Sequence, residues 1–330
     1  MKSQPQPTRV DRGSPAARLR ELLECAVERS TADGILLSGG LDTSVISAVS
    51  ARGGRKLRAV SVSVAGAVSP DEPFAKRIAE RCRFPLRVLR PALADLIAAM
   101  PAVMRVLGGF DPMELRNSTV VWLALQAARE DDIAAVLTGD AADELFAGYS
   151  YIFSMPPEQV SPYLHFLNGV MRFSSIPMGR SVGVEAQLPY LDPAVREFAL
   201  TLSRDDLVGE RDGQRFGKKV LREAFADLLG EDVSWRVKTP IEYGSGSRAL
   251  QKFVMDSVSD EEFEAARVRI SAEDGVALRD KEQFFYYRIY RTVLPPPCQQ
   301  KGGAKRCGSC GGAVERAEQK YCRVCGAYPC

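Results

Sequence analysis

Three groups of residues in this chain have the types and spacing that chemistry requires. The first is Ser38-Gly-Gly-Leu-Asp-Thr-Ser44, which follows the apolar run Ile35-Leu-Leu. Paired glycines let a backbone turn sharply and approach a ligand, and the free N–H groups of a helix start bind anions. Ser38, Thr43 and Ser44 add hydroxyl donors. Asp42 would repel a phosphate unless a cation stood between them, so it reads as a magnesium ligand. Neither GxxxxGK[ST] nor GxGxxG is present, so this is a phosphate loop of another kind, the plain alternative being an ordinary glycine turn. The second group is Cys307-x-x-Cys310, eleven residues, then Cys322-x-x-Cys325, each pair followed by glycine. Four thiolates at this spacing suit a tetrahedral, structural Zn²⁺. The third is a scarcity: one histidine, His165, stands among large apolar neighbours. Histidine-based triads and multi-histidine metal centres are thereby excluded unless they use that residue, and a packing role fits it better.

These residues need elements to position them. Leu19, Leu22, Leu23 and Ala26 have helical spacing, Gly34-Ile-Leu-Leu is a short buried strand, and Leu41 to Ala51 is a second helix. Strands follow at Leu57–Val64, Leu86–Leu89 and Ile133–Leu137. Ser69-Pro-Asp-Glu supplies a cap, a proline and acids for a helix that puts Phe74, Ile78 and Cys82 on one face. Ser118 to Glu130 is helical. Alternating strands and helices predict an α/β fold with a doubly wound parallel sheet. After residue 150 the strand signals cease, and helical patterns run to Pro295-Pro-Pro. The expected organisation is a loose N-terminus over 1–14, a catalytic body over 15–294 (nucleotide-binding core 15–150, helical part 151–294), a linker over 295–306 and a small zinc ribbon over 307–330. Cys25 and Cys82 both read as packed helical residues.

The 330 residues carry 45% apolar and 26% charged side chains, enough for a sizeable core. The net charge of +2 conceals a tail, from Cys298 on, with six Lys/Arg against two Glu. Four thiolates on Zn²⁺ would halve that excess, although Lys301, Lys305, Arg306, Lys320 and Arg323 leave RNA or protein docking open. No apolar run approaches the ~18 residues of a membrane span. A long chain with clustered cysteines and no secretory signal reads as cytoplasmic.

The loop Ser38–Ser44 resembles the pyrophosphate loop of the N-type ATP pyrophosphatases, specifically the synthetase domain of asparagine synthetases. Further matches follow in order: Gly139-Asp-Ala-Ala-Asp-Glu-Leu-Phe-Ala-Gly-Tyr149, Leu188-Pro-Tyr-Leu-Asp192, Leu221-Arg-Glu-Ala-Phe225, Arg236-Val-Lys-Thr-Pro240 with Gly244, and the Lys281–Arg291 helix. The resemblance covers roughly residues 15–293.

What it implies is ATP-dependent, AMP- and pyrophosphate-forming amide synthesis, in which a carboxylate is adenylated and ammonia or another amine displaces AMP. Ser38, Gly39, Gly40, Leu41, Asp42, Thr43, Ser44 and Gly139 would hold ATP and pyrophosphate. Asp42 and Asp143 would hold Mg²⁺, and Lys238 would supply positive charge. Asp140 would act on the amine, and Arg116 and Glu144 would line the acceptor pocket. The plain alternatives are helix capping by Asp143 and Glu144 and a surface position for Lys238. Two residues depart from the family: Asp140 replaces the usual glutamate, and Gln187 replaces an arginine. Only a helix precedes the first loop, so nitrogen is expected from free ammonia, another amine or a separate glutaminase subunit. Competing readings are adenylation of an RNA base and a non-catalytic nucleotide-binding scaffold.

Overall fold

The architecture is given by a computed structural model that describes residues 13–330. Of the loose N-terminus expected over 1–14, residues 1–12 lie outside the described residues; Ser14 caps the first helix, Pro15–Glu28, by accepting from the Ala17 N–H at 3.2 Å. Five strands follow in sequence: β1 (Gly34–Leu36), β2 (Arg58–Val62), β3 (Leu86–Leu89), β4 (Ala135–Leu137) and β5 (Glu185–Gln187). They form one parallel sheet in the order β3-β2-β1-β4-β5. β1 pairs with β2 on one side and β4 on the other, so the winding reverses between β1 and β4. Crevices that bind ligands in such sheets open at the carboxyl ends of the strands where the order reverses.

The core is built from what the strands and their crossover helices bury. Ile35, Leu37, Val136 and Leu137 are fully buried, as are Leu19, Leu23, Val45 and Ile46 of the neighbouring helices. Burial of each such aliphatic side chain contributes about 1.5–3 kcal/mol. Among the described residues no single helix is long and apolar enough to cross a membrane.

Several local expectations change. β5, Glu-Ala-Gln, lies in the stretch where strand signals had ceased; it is an edge strand of three residues, Glu185 exposed and Ala186 and Gln187 half-buried, with no apolar alternation to announce it. A hairpin, Gly209–Arg211 with Gln214–Phe216, adds two more strands. The helix expected from Ser69 begins at Glu72, with Asp71 as its cap residue, and the Ser69 hydroxyl donates to the Gly244 carbonyl at 2.6 Å instead. The helix expected over Ser118–Glu130 begins at Pro112 instead, and a further helix covers Leu93–Leu107. Cys82 is buried as expected, whereas Cys25 points to solvent. His165 is an exposed residue of the helix Pro157–Val170.

The chain divides into two compact units assembled from interleaved segments. Among the described residues, one comprises 13–61, Pro70–Leu89 and Gln126–Pro240, and holds the sheet. The other comprises Val62–Ser69, Arg90–Leu125 and Ile241–Cys330, and contains the helices Leu93–Leu107, Ala249–Asp256, Asp260–Asp274 and Lys281–Val293 together with the cysteine-rich tail. Pro295-Pro-Pro does end the last long helix, at Val293.

Candidate functional site

The loop after β1 owes its shape to glycine. Gly39 has φ +82°, and a Cβ there would come within 2.5 Å of the Ala75 nitrogen and the Asp71 carbonyl, so no other residue fits. Gly40 then opens the helix Leu41–Arg52, whose first turn carries Asp42. Gly40 N–H donates to the Ser38 hydroxyl, which lies 3.1 Å from the Thr43 hydroxyl. Leu41 is buried in the core, and the Ser44 hydroxyl is turned back onto the Gly40 carbonyl at 2.7 Å. Thus Ser38, Gly39, Gly40 and Thr43 rim the helix start, while Leu41 and Ser44 support it from behind.

The loop after β4 approaches the first one closely. A Cβ on Gly139 would lie 2.9 Å from Asp42 Cβ and 3.0 Å from Thr43 Cγ2. Ala141 then takes φ +78° and places Asp143 in the short helix Ala142–Leu145. Asp42 and Asp143, 101 positions apart by their numbers, share a single ammonium. Lys218 Nζ lies 2.6 and 2.7 Å from the two Asp42 oxygens and 2.8 Å from Asp143 Oδ1. Lys238 Nζ approaches Asp143 Oδ2 at 3.4 Å and stands over the Tyr149 ring. Burial pushes the Asp143 carboxyl up, but Lys218 and Lys238 outweigh it and hold the group below its ordinary range. For Asp42, burial wins, and the neighbouring Asp143 adds to the upward shift. The Lys218 ammonium stays charged because the two aspartates overcome its burial.

Lys218 and Arg236 carry no functional assignment in the sequence reading. Lys218 has φ +58° and packs its stem against Gly148, where any side chain would collide with it and with Asp143. Arg236 donates to the Gly39 carbonyl at 2.6 Å and to Asp71 Oδ1 at 2.5 Å, tying its loop to the glycine turn. Tyr190, fully buried, donates to the Asp42 carbonyl. Three of the six positive-φ residues other than glycine among the described residues, Ala141, Ala147 and Lys218, flank the paired acids. Such conformations cost of order 1–3 kcal/mol each and persist only where the surroundings enforce them.

Asp140 is buried beside this pair. Its Oδ2 accepts from Thr138 at 3.0 Å and Ser175 at 2.5 Å, and burial raises its pKa despite those bonds. Glu144 accepts from the Tyr149 hydroxyl at 2.5 Å and is likewise raised by burial. Gln187 serves the turn before β1, its Oε1 accepting from Ser30, Thr31 and Ala32. A cavity of about 430 Å³ adjoins the lysines, with Tyr149, Tyr151, Phe153, Phe216, Lys218 and Lys238 in its wall. Arg116 belongs to the other unit. Both edges of its guanidinium are engaged, Nε with Glu242 at 2.6 Å and Nη1 with Glu282 at 2.5 Å, and its side chain is only 9% exposed.

The donor set at Asp42 and Asp143 fits a hard divalent cation. Two carboxylates face each other from adjacent strand ends, and the buried Asp143 Oδ1 accepts no directed hydrogen bond although an ammonium is close. The cysteine cluster fits a softer ion. Cys307, Cys310, Cys322 and Cys325 are all buried, with their sulfurs within 4.8 Å of one another. The Cys307–Cys325 and Cys310–Cys322 sulfurs are 3.8 and 3.7 Å apart. A tetrahedron with ~2.3 Å metal–sulfur bonds has edges of about 3.8 Å. Ser309 and Gly312 N–H groups turn toward the Cys307 and Cys310 sulfurs, as knuckle turns at thiolates do.

Comparison with known proteins bears on these sites. A family model described as asparagine synthase matches residues 18–174 and 159–308. The glutamine-hydrolyzing asparagine synthetase B of Escherichia coli (strain K12) is 26% identical over 322 residues, covering 88% of this chain and 57% of that protein. A glutamine-hydrolyzing asparagine synthetase of Zea mays is 26% identical over 303 residues, covering 84% and 51%. The chain thus spans about half the length of the curated relatives it matches. A solved structure of NMN synthetase from Francisella tularensis aligns over 86% of this chain and 97% of its own, at 13% identity and a TM-score of 0.39.

Proposed function

The chain belongs to the asparagine synthase family, and from that premise we propose that it is an ATP-dependent ligase that adenylates a carboxylate and passes the acyl group to an amine. The observation that carries this reading is the meeting of a glycine-built helix start with two carboxylates and two lysines at the β1/β4 crevice. The N–H groups at the start of Leu41–Arg52, with Ser38 and Thr43, hold the departing pyrophosphate. Bound across Asp42 and Asp143, magnesium would neutralise charge on the phosphates. Lys238, at the edge of the cavity, stabilises the charge that develops as the substrate carboxylate oxygen attacks the α-phosphorus and pyrophosphate leaves. The amine nitrogen then attacks the acyl carbon and AMP departs. Asp140, buried and raised in pKa, takes the proton that the amine must lose.

The acceptor carboxylate occupies the aromatic and cationic cavity beside Lys238. Arg116 and Glu144, assigned to the acceptor by resemblance, are occupied by Glu242 and Glu282 and by Tyr149 respectively. The cysteine cluster holds a structural Zn²⁺. Nitrogen comes from ammonia, another amine or a separate glutaminase. The test is incubation with ATP, magnesium, ammonia and a panel of carboxylates while AMP and pyrophosphate are followed. Equal AMP and pyrophosphate with one carboxylate are expected. ADP and phosphate as products, or no turnover with any carboxylate, would refute the reading.

A further inference from the structure

The cysteine knuckles are bonded into the unit that contains them, and those bonds converge on two helix starts. The knuckle Cys322–Ala327 meets the turn before the helix Pro112–Glu130. Phe110 N–H donates to the Val324 carbonyl at 2.6 Å, and the Tyr321 hydroxyl donates to Asp111 Oδ2. Gly109 admits no side chain, because a Cβ would stand 2.8 Å from the Arg323 carbonyl. Asp111 in turn accepts from the Met113 N–H in the first turn of that helix. The same knuckle meets the start of the helix Lys281–Val293. Gln283 Nε2 donates to the Cys325 carbonyl at 2.8 Å, and the Arg279 guanidinium donates to the Gly326 and Cys325 carbonyls. On the other knuckle, Ser309 C=O accepts from Ala277 N–H at 2.7 Å. One helix carries Arg116 a turn inside its start, and the other carries Glu282, next to Gln283.

We propose that this metal site is a clamp: the ion shapes the Cys322–Cys325 knuckle, and the knuckle fixes the two helix starts so that the Arg116–Glu282–Glu242 triad forms. The proposal rests on the zinc reading above. Four thiolates supply the ion's coordination, and the few apolar residues of the tail cannot hold the knuckle's shape without it. The triad depends on that shape because Arg116 and Glu282 are buried, Glu242 is half-buried, and the three come from separate segments, so a small displacement of either helix start weakens the ion pairs of the Arg116 guanidinium. Arg116 and Glu282 are therefore positioning residues of this unit, with the metal as their remote support.

The test uses the full chain, measuring zinc content and amide hydrogen exchange before and after a chelator removes the metal. Metal loss is expected to speed exchange at least about tenfold in 108–123 and 279–290, the scale of one or two lost hydrogen bonds. Exchange in 34–52 and 135–146 and the affinity for a fluorescent ATP analogue should stay within about twofold, and one equivalent of added zinc should restore protection. The double variant Tyr321→Phe, Gln283→Ala, which keeps all four thiols, should retain zinc yet show part of the same loss. Faster exchange confined to 305–330 would overturn the clamp while leaving the zinc reading intact. Faster exchange reaching 34–52 would overturn it as well, since the metal would then hold the whole chain. Chain purified without metal, yet protected at 108–123 and 279–290, would overturn both.

Discussion

Replacing Lys218 with methionine tests the electrostatic design of the crevice most directly. The substitution keeps a long apolar stem and removes the one cation that lies within 2.8 Å of both Asp42 and Asp143. Asp143 would keep Lys238 at 3.4 Å, whereas Asp42 would lose its only ion-pair partner among the described residues. Breaking a buried pair by removing one member costs about 3–5 kcal/mol. Lys218 is 4% exposed, but the two aspartates keep about a fifth of their side-chain surface (20% and 21%), so the lower end, ~3 kcal/mol, applies. For a chain of 330 residues, with an unfolding entropy of about 0.7 kcal/mol/K, that corresponds to a fall in Tm of roughly 4 °C. Because a divalent cation would replace the missing charge, magnesium should raise the Tm of the variant by several degrees more than that of the parent. Thermal unfolding followed by circular dichroism, with and without magnesium, reads both quantities. A variant within about 1 kcal/mol of the parent, or one indifferent to magnesium, would show that Lys218 does not balance the paired acids.

Three more outcomes follow from the same geometry. Asp42→Asn and Asp143→Asn should each abolish AMP formation while the circular dichroism spectrum stays that of the parent; full activity in either would remove that residue from the proposed chemistry. Lys238→Ala should lower turnover far more than it weakens ATP binding, as loss of a transition-state contact does, and equal losses measured by steady-state kinetics and nucleotide titration would reassign Lys238 to binding. Burial pushes the Cys82 thiol up to about 11, so at a pH of about 8 only around one part in a thousand is thiolate, and its labelling should rise with pH through that value. Exposed Cys25 and Cys298 should therefore react with iodoacetamide long before Cys82, with peptide mapping as the readout.

The parts of the site that were legible in the sequence are those whose information is local. A strand running into Ser-Gly-Gly, an aspartate two residues on, and a second acid-rich turn after another strand are short-range patterns, and the sheet juxtaposes them because parallel winding puts β1 beside β4. Cysteine spacing was legible for the same reason. Lys218 was not, because its role depends on pairing across 176 residues with Asp42 and on a left-handed backbone at the lysine itself rather than at the adjacent Gly217. β5 escaped because a three-residue edge strand with two polar residues about one alanine has no amphipathic signature. Arg116 carried an acceptor role by likeness of its segment, and only coordinates reveal that two glutamates, Glu242 and the buried Glu282, already take both edges of its guanidinium.

The interleaving of the two units has a consequence for how the molecule is made. The chain passes between them five times, after residues 61, 69, 89, 125 and 240, so no single cut frees either one as a continuous piece. As the polypeptide leaves the ribosome, the turn at Asp111 must wait about 210 residues for Tyr321 to arrive. Until then its helix starts with Phe110 and Asp111 uncovered, while the sheet can already close around β1 and β4. With the proposed metal clamp, metal supply during synthesis would bear on the maturation of one unit and not on that of the other. On that proposal, a cell short of zinc would accumulate molecules with a finished β1/β4 crevice and an unfinished second unit, open to proteases near Gly108.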